Sequence, residues 1–303
     1  MEQDHMPIDD FVYCLAASPN FKKDGLAFAA KKSGLYRSND KGKTWEDAFS
    51  SLNLSAPLPI TFTAVAPAGE ITYVFACAEG QILRSLDAGQ TWTWQTAKLD
   101  TPAPLVTALV ASPNFAKDGT LLAATMQDGI FRSTDRGVSW TGWNFGLYDP
   151  NINAVAFADS QTIFAGTQSS IFRSTNAGRS WRDLDFPIDC APALCLAVNR
   201  EGIIYAGTET EGLHVSHDKG KTWEGLTEGA VEQIHLDARG KILILKDGEL
   251  LLSEDDGNSW QPARPGFEPA ADISACTTTL PGLDSARGKN LLVGLSNGEI
   301  IKL

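Results

Sequence analysis

The sequence has little of what marks several common functional classes. Its 303 residues include five cysteines, four histidines and only 25 Lys plus Arg against 37 Asp plus Glu, a formal net charge of -12. Because a negatively charged surface repels nucleic acid and anionic bilayers, we expect neither as a partner. No apolar run reaches 18 residues, so no membrane-spanning helix is predicted.

The N-terminus and the cysteines point to a reducing compartment. The opening residues MEQDHMPIDDF lack the basic segment and apolar core of a secretory signal. The odd number of cysteines, without a CxxC pair, predicts reduced and mostly buried thiols in a cytoplasmic protein. These cysteines are Cys14, Cys77, Cys190, Cys195 and Cys276.

An eight-residue pattern, Ser-x-Asp/Asn-x-Gly-x-Thr/Ser-Trp, recurs six times and is called the box below. Its glycines are 47, 48, 41, 42 and 37 residues apart, close to the period of a four-stranded propeller blade. The defining residues are Ser38, Asp40, Gly42 and Trp45; Ser85, Asp87, Gly89 and Trp92; Ser133, Asp135, Gly137 and Trp140; Ser174, Asn176, Gly178 and Trp181; Ser216, Asp218, Gly220 and Trp223; and Ser253, Asp255, Gly257 and Trp260.

Each unit has four short β-prone stretches separated by turn residues, which is typical of an antiparallel meander. The C-terminal residues 273–303 repeat the first three stretches, and NGEIIKL there aligns with EGQILRS of unit two. We therefore predict an all-β, seven-bladed β-propeller of four-stranded antiparallel blades, forming a single domain over residues 1–303. The seventh blade either remains incomplete or gains its fourth strand from the N-terminus, with residues 5–8 as the candidate.

The box residues suit a hairpin turn between strands three and four. The Ser and the Asp or Asn can accept hydrogen bonds from turn N–H groups, the Gly permits positive φ, and the Trp is expected to start strand four and pack between blades. Alternating oxygens also resemble a calcium loop. That interpretation is disfavoured because Asn176 replaces one acid and no distant bidentate Glu follows.

These boxes resemble the Asp-box, or BNR-repeat, β-propellers, and the resemblance covers essentially the whole chain. That superfamily includes sialidases, xyloglucan-degrading glycoside hydrolases, the sortilin ectodomain, and the seven-bladed photosystem II assembly and stability factors with their bacterial relatives. A box in nearly every unit and strand-three segments such as GLYRS, GIFRS and SIFRS are most similar to the last group. The resemblance implies the fold strongly and the function weakly.

The sequence nominates no catalytic, cofactor or metal site. A sialidase-like site needs three converging arginines, whereas the recurrent ones precede the box Ser on strand three. The predicted innermost strands carry one charged residue, Glu232, and no pair of carboxylates suited to glycoside hydrolysis. The histidines are scattered through the chain as His5, His214, His217 and His235.

Two sets of residues are candidates for binding a partner. The strand-three arginines either pack with their heads on neighbouring acids or carbonyls, or form a basic patch; they are Arg37, Arg84, Arg132 and Arg173. The other set consists of aromatics in the long loops that lead from strand four to the next blade, where interface anchors are common. These are Trp94, Trp143, Phe145, Tyr148, Phe186 and Phe267, of which Trp143 and Tyr148 are preferred.

The sequence thus predicts a non-enzymatic scaffold that binds or assembles other proteins and is monomeric outside its complex. The alternative is a carbohydrate-active propeller, either a glycoside hydrolase or a lectin. Two carboxylates facing each other across an aromatic-lined groove would favour that alternative.

Overall fold

Seven antiparallel sheets surround a central channel in the computed structural model, which describes residues 10–78, 80–95, 105–187, 192–237, 240–269, 271–276 and 291–303. Within every sheet the strands lie side by side in chain order, so that each repeat unit forms one meander. The predicted seven-bladed propeller with four-stranded antiparallel blades is confirmed.

Each blade begins at the channel and ends at the outer edge. The first strands are β1 (Val12–Ala17), β5 (Phe62–Ala68), β9 (Val106–Ala111), β13 (Ile152–Phe157), β17 (Ala193–Val198), β21 (Val231–Leu236) and β25 (Ile273–Cys276). The second strands are β2 (Ala27–Lys31), β6 (Ile71–Ala78), β10 (Leu121–Thr125), β14 (Ile163–Thr167), β18 (Ile204–Thr208), β22 (Ile242–Lys246) and β26 (Leu292–Leu295).

The outer strands follow in the same order. The third strands are β3 (Gly34–Ser38), β7 (Gln81–Ser85), β11 (Ile130–Ser133), β15 (Ile171–Ser174), β19 (Leu213–Ser216), β23 (Glu249–Ser253) and β27 (Ile300–Lys302). The fourth strands are β4 (Glu46–Asp47), β8 (Thr93–Gln95), β12 (Thr141–Gly142), β16 (Arg182–Asp183), β20 (Glu224–Gly225) and β24 (Gln261–Pro262). In the described part of the chain the seventh sheet has three strands, and residues 5–8 lie outside that part.

The second strands form the core because a neighbouring blade covers each of their faces. All five residues are buried in β10, β14 and β18, whereas both residues of β4 and of β12 are exposed. The continuous apolar runs of these second strands therefore reflect burial on two sides, as in other sheets that are covered on both faces.

The boxes form the turns between strands three and four. In the second blade the Ser85 hydroxyl donates to Asp87 (2.7 Å) and accepts the Gly89 N–H (2.8 Å). Asp87 Oδ1 accepts the N–H groups of Gln90 (3.0 Å) and Thr91 (2.9 Å), and its Oδ2 accepts the Thr91 hydroxyl (2.6 Å). The Asp87 side chain thus accepts hydrogen bonds from turn N–H groups that have no partner in a neighbouring strand.

Two details of the box differ from the sequence-based expectation. The Trp does not start strand four but lies one residue before it, as with Trp45 ahead of β4. The residue before each box Gly also has positive φ, for example 58° at Ala88. Because consecutive left-handed residues reverse the chain tightly, the Trp side chain is already turned into the blade before pairing begins.

A ring of side-chain hydrogen bonds joins the first strands. In each case a side chain of one blade donates to a backbone carbonyl of the next blade in chain order, and within the described residues every one of the seven interfaces has such a bond. The bonds are Cys14 to Thr63 (3.6 Å), Thr61 to Val106 (3.2 Å), Thr107 to Ile152 (2.6 Å), Asn153 to Ala193 (3.2 Å), Cys195 to Val231 (3.3 Å), Gln233 to Ser274 (3.2 Å) and Ser274 to Val12 (2.9 Å).

Several of these donors lie in β-bulges. The register of the first strand slips by one residue at Asn153 in the fourth blade and at Ser274 in the seventh, leaving that residue without a partner in its own sheet. A bulge re-aims its extra side chain. Thr107 donates from a bulge as well, whereas Cys14, Cys195 and Gln233 each directly follow one.

Candidate functional sites

Most of the strand-three arginines join neighbouring blades. Arg37 Nε donates to the Ala88 carbonyl (2.9 Å), and Arg84 Nη1 donates to the Arg136 carbonyl (3.1 Å). Arg173 Nη1 repeats this contact with Lys219 (3.0 Å). Each acceptor is the left-handed residue before the box Gly of the next blade. These contacts match the packing interpretation of the arginines, in which their heads lie on neighbouring carbonyls.

Arg132 is placed differently and contacts an aromatic ring. Its guanidinium carbon lies 4.7 Å from the centre of the Trp143 ring, and that of Arg179 lies 5.6 Å from the same ring. Burial lowers the pKa of Arg132, and the neighbouring Arg179 charge lowers it further. Two cations thus contact one indole ring, which is favourable for each through the ring quadrupole. Their mutual repulsion is opposed by the charge of Asp118, which raises the pKa of Arg132.

The loop after β12 presents two exposed aromatics beside this cluster. Phe145 is 82% exposed and Tyr148 is 67% exposed. The Tyr148 hydroxyl donates to Asp183, and its ring packs edge-on against Phe172 at 4.8 Å. The hydrogen bond to Asp183, aided by burial, raises the pKa of Tyr148 to about 12. Residues 143–148 are called the aromatic loop below.

The backbone of the aromatic loop is tied to the fourth blade through Trp181. The Trp181 N–H donates to the Phe145 carbonyl and its Nε1 donates to the Trp143 carbonyl, both at 2.9 Å. Gly146, with a φ of +83°, lies so close that a Cβ there would be 2.2 Å from the Trp181 carbonyl oxygen. Because its backbone is fixed, the loop exposes Phe145 without the ordering cost of a mobile segment.

The remaining predicted aromatics do not join this surface. Phe186, a candidate for binding a partner, is buried instead: it is 4% exposed and packs against the rings of Trp223 (4.9 Å) and His214 (5.8 Å) of the fifth blade. Phe267 is half-buried against the core of the last two blades. The side chain of Trp94 lies outside the described residues.

The central channel is the second candidate site. It has a volume of about 900 Å³ and is lined by the first strands, mainly with small apolar residues. Glu232 is the one carboxylate among the lining residues that the structure describes, and burial raises its pKa. Three residues further along β21, His235 Nε2 lies 2.9 Å from Cys276 Sγ. Glu232 is also the one charged residue on the predicted innermost strands, and the sequence pattern indicates no role for it.

Carboxylates near the aromatic loop have environments unlike that of a general acid. Burial alone would raise the pKa of Asp149, but hydrogen bonds led by that from Ser169 lower it. The pKa of Asp183 is lowered similarly, against burial, by hydrogen bonds from Ser170 and Tyr148. Because the proton donor in glycoside hydrolysis needs a raised pKa, neither aspartate is suited to that role.

Over the described ranges, no group of three His, Cys, Asp or Glu side chains is arranged to hold a metal ion. No helix in the same ranges is long and apolar enough to cross a membrane. The free thiols identified there are Cys14, Cys77, Cys195 and Cys276, and Cys190 lies outside the described residues.

Comparison with known proteins finds similarity in fold. No family model and no curated protein matches the chain. Among solved structures, YCF48 bound to a D1 peptide superposes with a TM-score of 0.71 at 15% identity, over 98% of this chain and 93% of that one. The GH74 xyloglucanase from Xanthomonas campestris superposes with a TM-score of 0.73 at 19% identity, over 96% of this chain and 51% of that one.

A third match is the extracellular domain of a putative one component system from B. thetaiotaomicron, with a TM-score of 0.70 at 15% identity. This chain covers 96% of its own length but only 38% of that protein. Matches at this level of identity establish a shared architecture and leave function open, because one scaffold hosts enzymes and binding proteins alike. The chain therefore shares the β-propeller fold of a YCF48 and of GH74 glycoside hydrolases.

Proposed function

We propose that this protein is a non-enzymatic scaffold that binds another protein through the aromatic loop. The observation that carries the proposal is the 82% exposure of Phe145 beside the 67% exposed Tyr148 on a loop whose backbone is fixed. Large exposed aromatics on a rigid framework are the side chains that most often anchor protein interfaces. A YCF48 of the same fold has been observed with a bound D1 peptide, which supports peptide binding as a use of this architecture.

The charges around the loop indicate the kind of segment it would bind. Arg132 and Arg179 lie on Trp143 next to the exposed rings, in a chain whose net charge is -12. Since the two guanidinium groups repel each other, an acidic group between them would lower their energy. We therefore expect a segment that combines an apolar or aromatic side chain with a carboxylate, bound by a single-domain monomer.

A capture experiment with matched variants tests this proposal. The tagged chain is recovered from a lysate of its native host, alongside Phe145→Ala/Tyr148→Ala and, as control, Leu86→Ala/Val138→Ala. The control removes two exposed apolar side chains from boxes, 46% and 48% exposed. We expect a defined set of proteins to be lost from the first variant and retained by the control, as judged by quantitative mass spectrometry. A set that both variants retain would contradict the proposal.

Exposed aromatics also stack on sugar rings, so the carbohydrate-active alternative needs a separate experiment. A glycan array probed with the wild-type chain and the Phe145→Ala/Tyr148→Ala variant distinguishes the two functions. Glycan binding that the variant loses, together with no protein captured, would replace the scaffold with a lectin or hydrolase. The lowered pKa values of Asp149 and Asp183 lead us to expect no glycan hydrolysis at this surface.

A further inference from the structure

Glu232 lies beside the ring of hydrogen bonds around the channel but takes no part in it. It occupies the bulge of β21, between Val231 and Gln233, where the first strand slips in register. In the third and fourth blades the bulge residue, Thr107 or Asn153, itself donates to the next blade. In the first and fifth blades the residue after the bulge donates instead, as Cys14 and Cys195 do. A carboxylate cannot donate, and the neighbouring Gln233 makes the bond to Ser274 instead.

The Glu232 carboxylate therefore has no part in joining the blades. Its Oε2 is shielded from solvent and has no hydrogen-bond partner among the described residues. Lys246, which pairs across the sheet with Val231, is engaged by Asp247 at 2.7 Å. The backbone N–H of Glu232 itself and the nearby Lys246 charge favour the ionised carboxylate. Because an unpaired buried acceptor is energetically unfavourable, the Oε2 atom is a candidate for an external donor.

The channel around Glu232 has the size and character of a ligand site. Its volume of about 900 Å³ falls within the usual range for small-molecule pockets. The described lining contains no Lys or Arg, and is mostly Ala, Val and Leu apart from polar groups at the strand starts. A cation with an apolar stem would match both the single carboxylate and the apolar wall.

We infer that the channel binds a primary ammonium group on an apolar stem, with the ammonium donating to the Glu232 carboxylate and the stem lying among side chains such as Ala64, Val110 and Leu196. A free alkylamine and a lysine side chain both carry this group. This site is distinct from the aromatic loop and does not depend on its function.

Isothermal titration calorimetry tests the inference with three probes that share a six-carbon stem: hexylammonium, hexan-1-ol and hexanoate. A fourth probe, the peptide acetyl-Ala-Lys-Ala-amide, tests whether a lysine side chain can enter. We expect hexylammonium to bind at least about tenfold more tightly than the alcohol, since a hydrogen bond between charged groups is stronger than one from a neutral hydroxyl, and we expect hexanoate not to bind. If the peptide binds, a lysine side chain can supply the ammonium group. If it does not bind, the site accepts free amines only.

Two variants and one control locate the site. Glu232→Gln keeps the shape of the side chain, and we expect it to weaken hexylammonium at least about tenfold while leaving hexan-1-ol unchanged. Ala64→Phe narrows the channel without changing its charge and is expected to abolish binding of every probe. Glu224→Gln, on the exposed strand β20, removes the same charge elsewhere and should change nothing.

Three results would overturn the inference. One is the absence of hexylammonium binding at millimolar concentration, and another is equal affinity for the amine and the alcohol. The third is unchanged hexylammonium binding in Glu232→Gln, with thermal unfolding confirming that the variant is folded.

Discussion

At the scale of single residues, Asp135 shows how one carboxylate fixes a box turn. It accepts the Ser133 hydroxyl, the N–H groups of Val138 and Ser139, and the Ser139 hydroxyl, at 2.6 to 3.0 Å. In the fourth blade Asn176 accepts the Ser180 N–H and donates its own NH₂ to the Ser180 hydroxyl. The amide thus reproduces much of the geometry while reversing one hydrogen bond.

This comparison predicts that Asp135→Ala destabilises the protein more than Asp135→Asn does. We expect Asp135→Ala to lower the free energy of unfolding by about 1–3 kcal/mol, because several turn N–H groups lose their acceptor. Asp135→Asn should cost less, since Ser139 can adopt the arrangement seen at Ser180. Urea unfolding followed by tryptophan fluorescence measures both, with Glu201→Ala as a surface control. Equal losses for Ala and Asn would contradict the turn-acceptor role.

The box carboxylates also predict how stability depends on pH. Hydrogen bonds, led by that from the Thr44 N–H, lower the pKa of Asp40 to about 2, and the pKa of Asp87 is lowered despite burial. A carboxyl with a depressed folded-state pKa contributes stability above its unfolded pKa of about 4 and loses it as pH falls through the folded value. We therefore expect the urea midpoint to be steady from pH 7 to 5 and to fall steeply between pH 4 and 2.

Asp40→Asn provides the check on that pH dependence. The amide does not titrate, so the variant should start from a lower midpoint at pH 7 and fall less steeply between pH 4 and 2. A slope identical to that of the wild type would assign the acid sensitivity to other groups.

The turn-forming role of the box residues could be predicted from the sequence, whereas the tertiary contacts around them could not. The identities of Ser, Asp, Gly and Trp imply a capped turn because their hydrogen-bonding and conformational preferences are local. The stacking of Arg132 and Arg179 on Trp143 joins three segments, and no local pattern indicates it. The burial of Phe186 could not be predicted for the same reason, since its contacts with Trp223 and His214 are tertiary.

At the scale of secondary-structure elements, the box Gly determines how closely adjacent blades pack. At Gly89, with a φ of +81°, an added Cβ would lie 2.5 Å from the Phe28 ring of the preceding blade. Gly69, in the hairpin between β5 and β6, has a φ of +65° but no atom within 4 Å of such a Cβ. Alanine substitutions at these two glycines therefore distinguish the cost of backbone strain from the cost of crowding between blades.

We expect Gly69→Ala to cost about 1 kcal/mol, from positive φ alone. Gly89→Ala should cost about 2–4 kcal/mol, because overpacking against Phe28 adds about 1–3 kcal/mol to the same strain. Differential scanning calorimetry of both variants measures the difference. Similar melting temperatures for the two variants would mean that the Gly89 interface can relax.

Element type and number were predictable, whereas their irregularities were not. The spacing of the boxes indicates the blade count because each copy marks the same hairpin. The one-turn helices α1 (Phe21–Asp24) and α2 (Phe115–Asp118) lie between strands one and two of their blades, and the phenylalanine that begins each is buried. The bulges in the first strands were missed because most lie directly after the first residue of a short, largely apolar strand, where too few alternating positions precede them to show a change of phase.

At the scale of the whole molecule, the contact between the seventh and first blades resembles the others. The Ser274 hydroxyl donates to the Val12 carbonyl at 2.9 Å, as Thr107 donates to Ile152 within the chain. Gly294 of β26 also lies against Val12, where an added Cβ would be 2.5 Å away. This contact between the seventh and first blades, called the seam below, thus uses the same kinds of interaction as the interfaces between consecutive blades.

We therefore expect Ser274→Ala and Thr107→Val to destabilise the protein by similar amounts, about 0.5–1.5 kcal/mol each. Amide hydrogen exchange distinguishes a weak seam from a uniform ring. Protection of β1 and of β25 to β27 should fall together with that of the other blades in Ser274→Ala. Selective loss of protection in those strands would show that the ring opens first at its seam.

The direction of the hydrogen bonds around the channel has an electrostatic consequence. All seven donate from one blade to the next in chain order, so their dipoles run head to tail around a closed circle. Vectors arranged tangentially on a circle sum to nearly zero, unlike the aligned peptide dipoles of a helix. The ring therefore adds almost no net dipole along the channel axis.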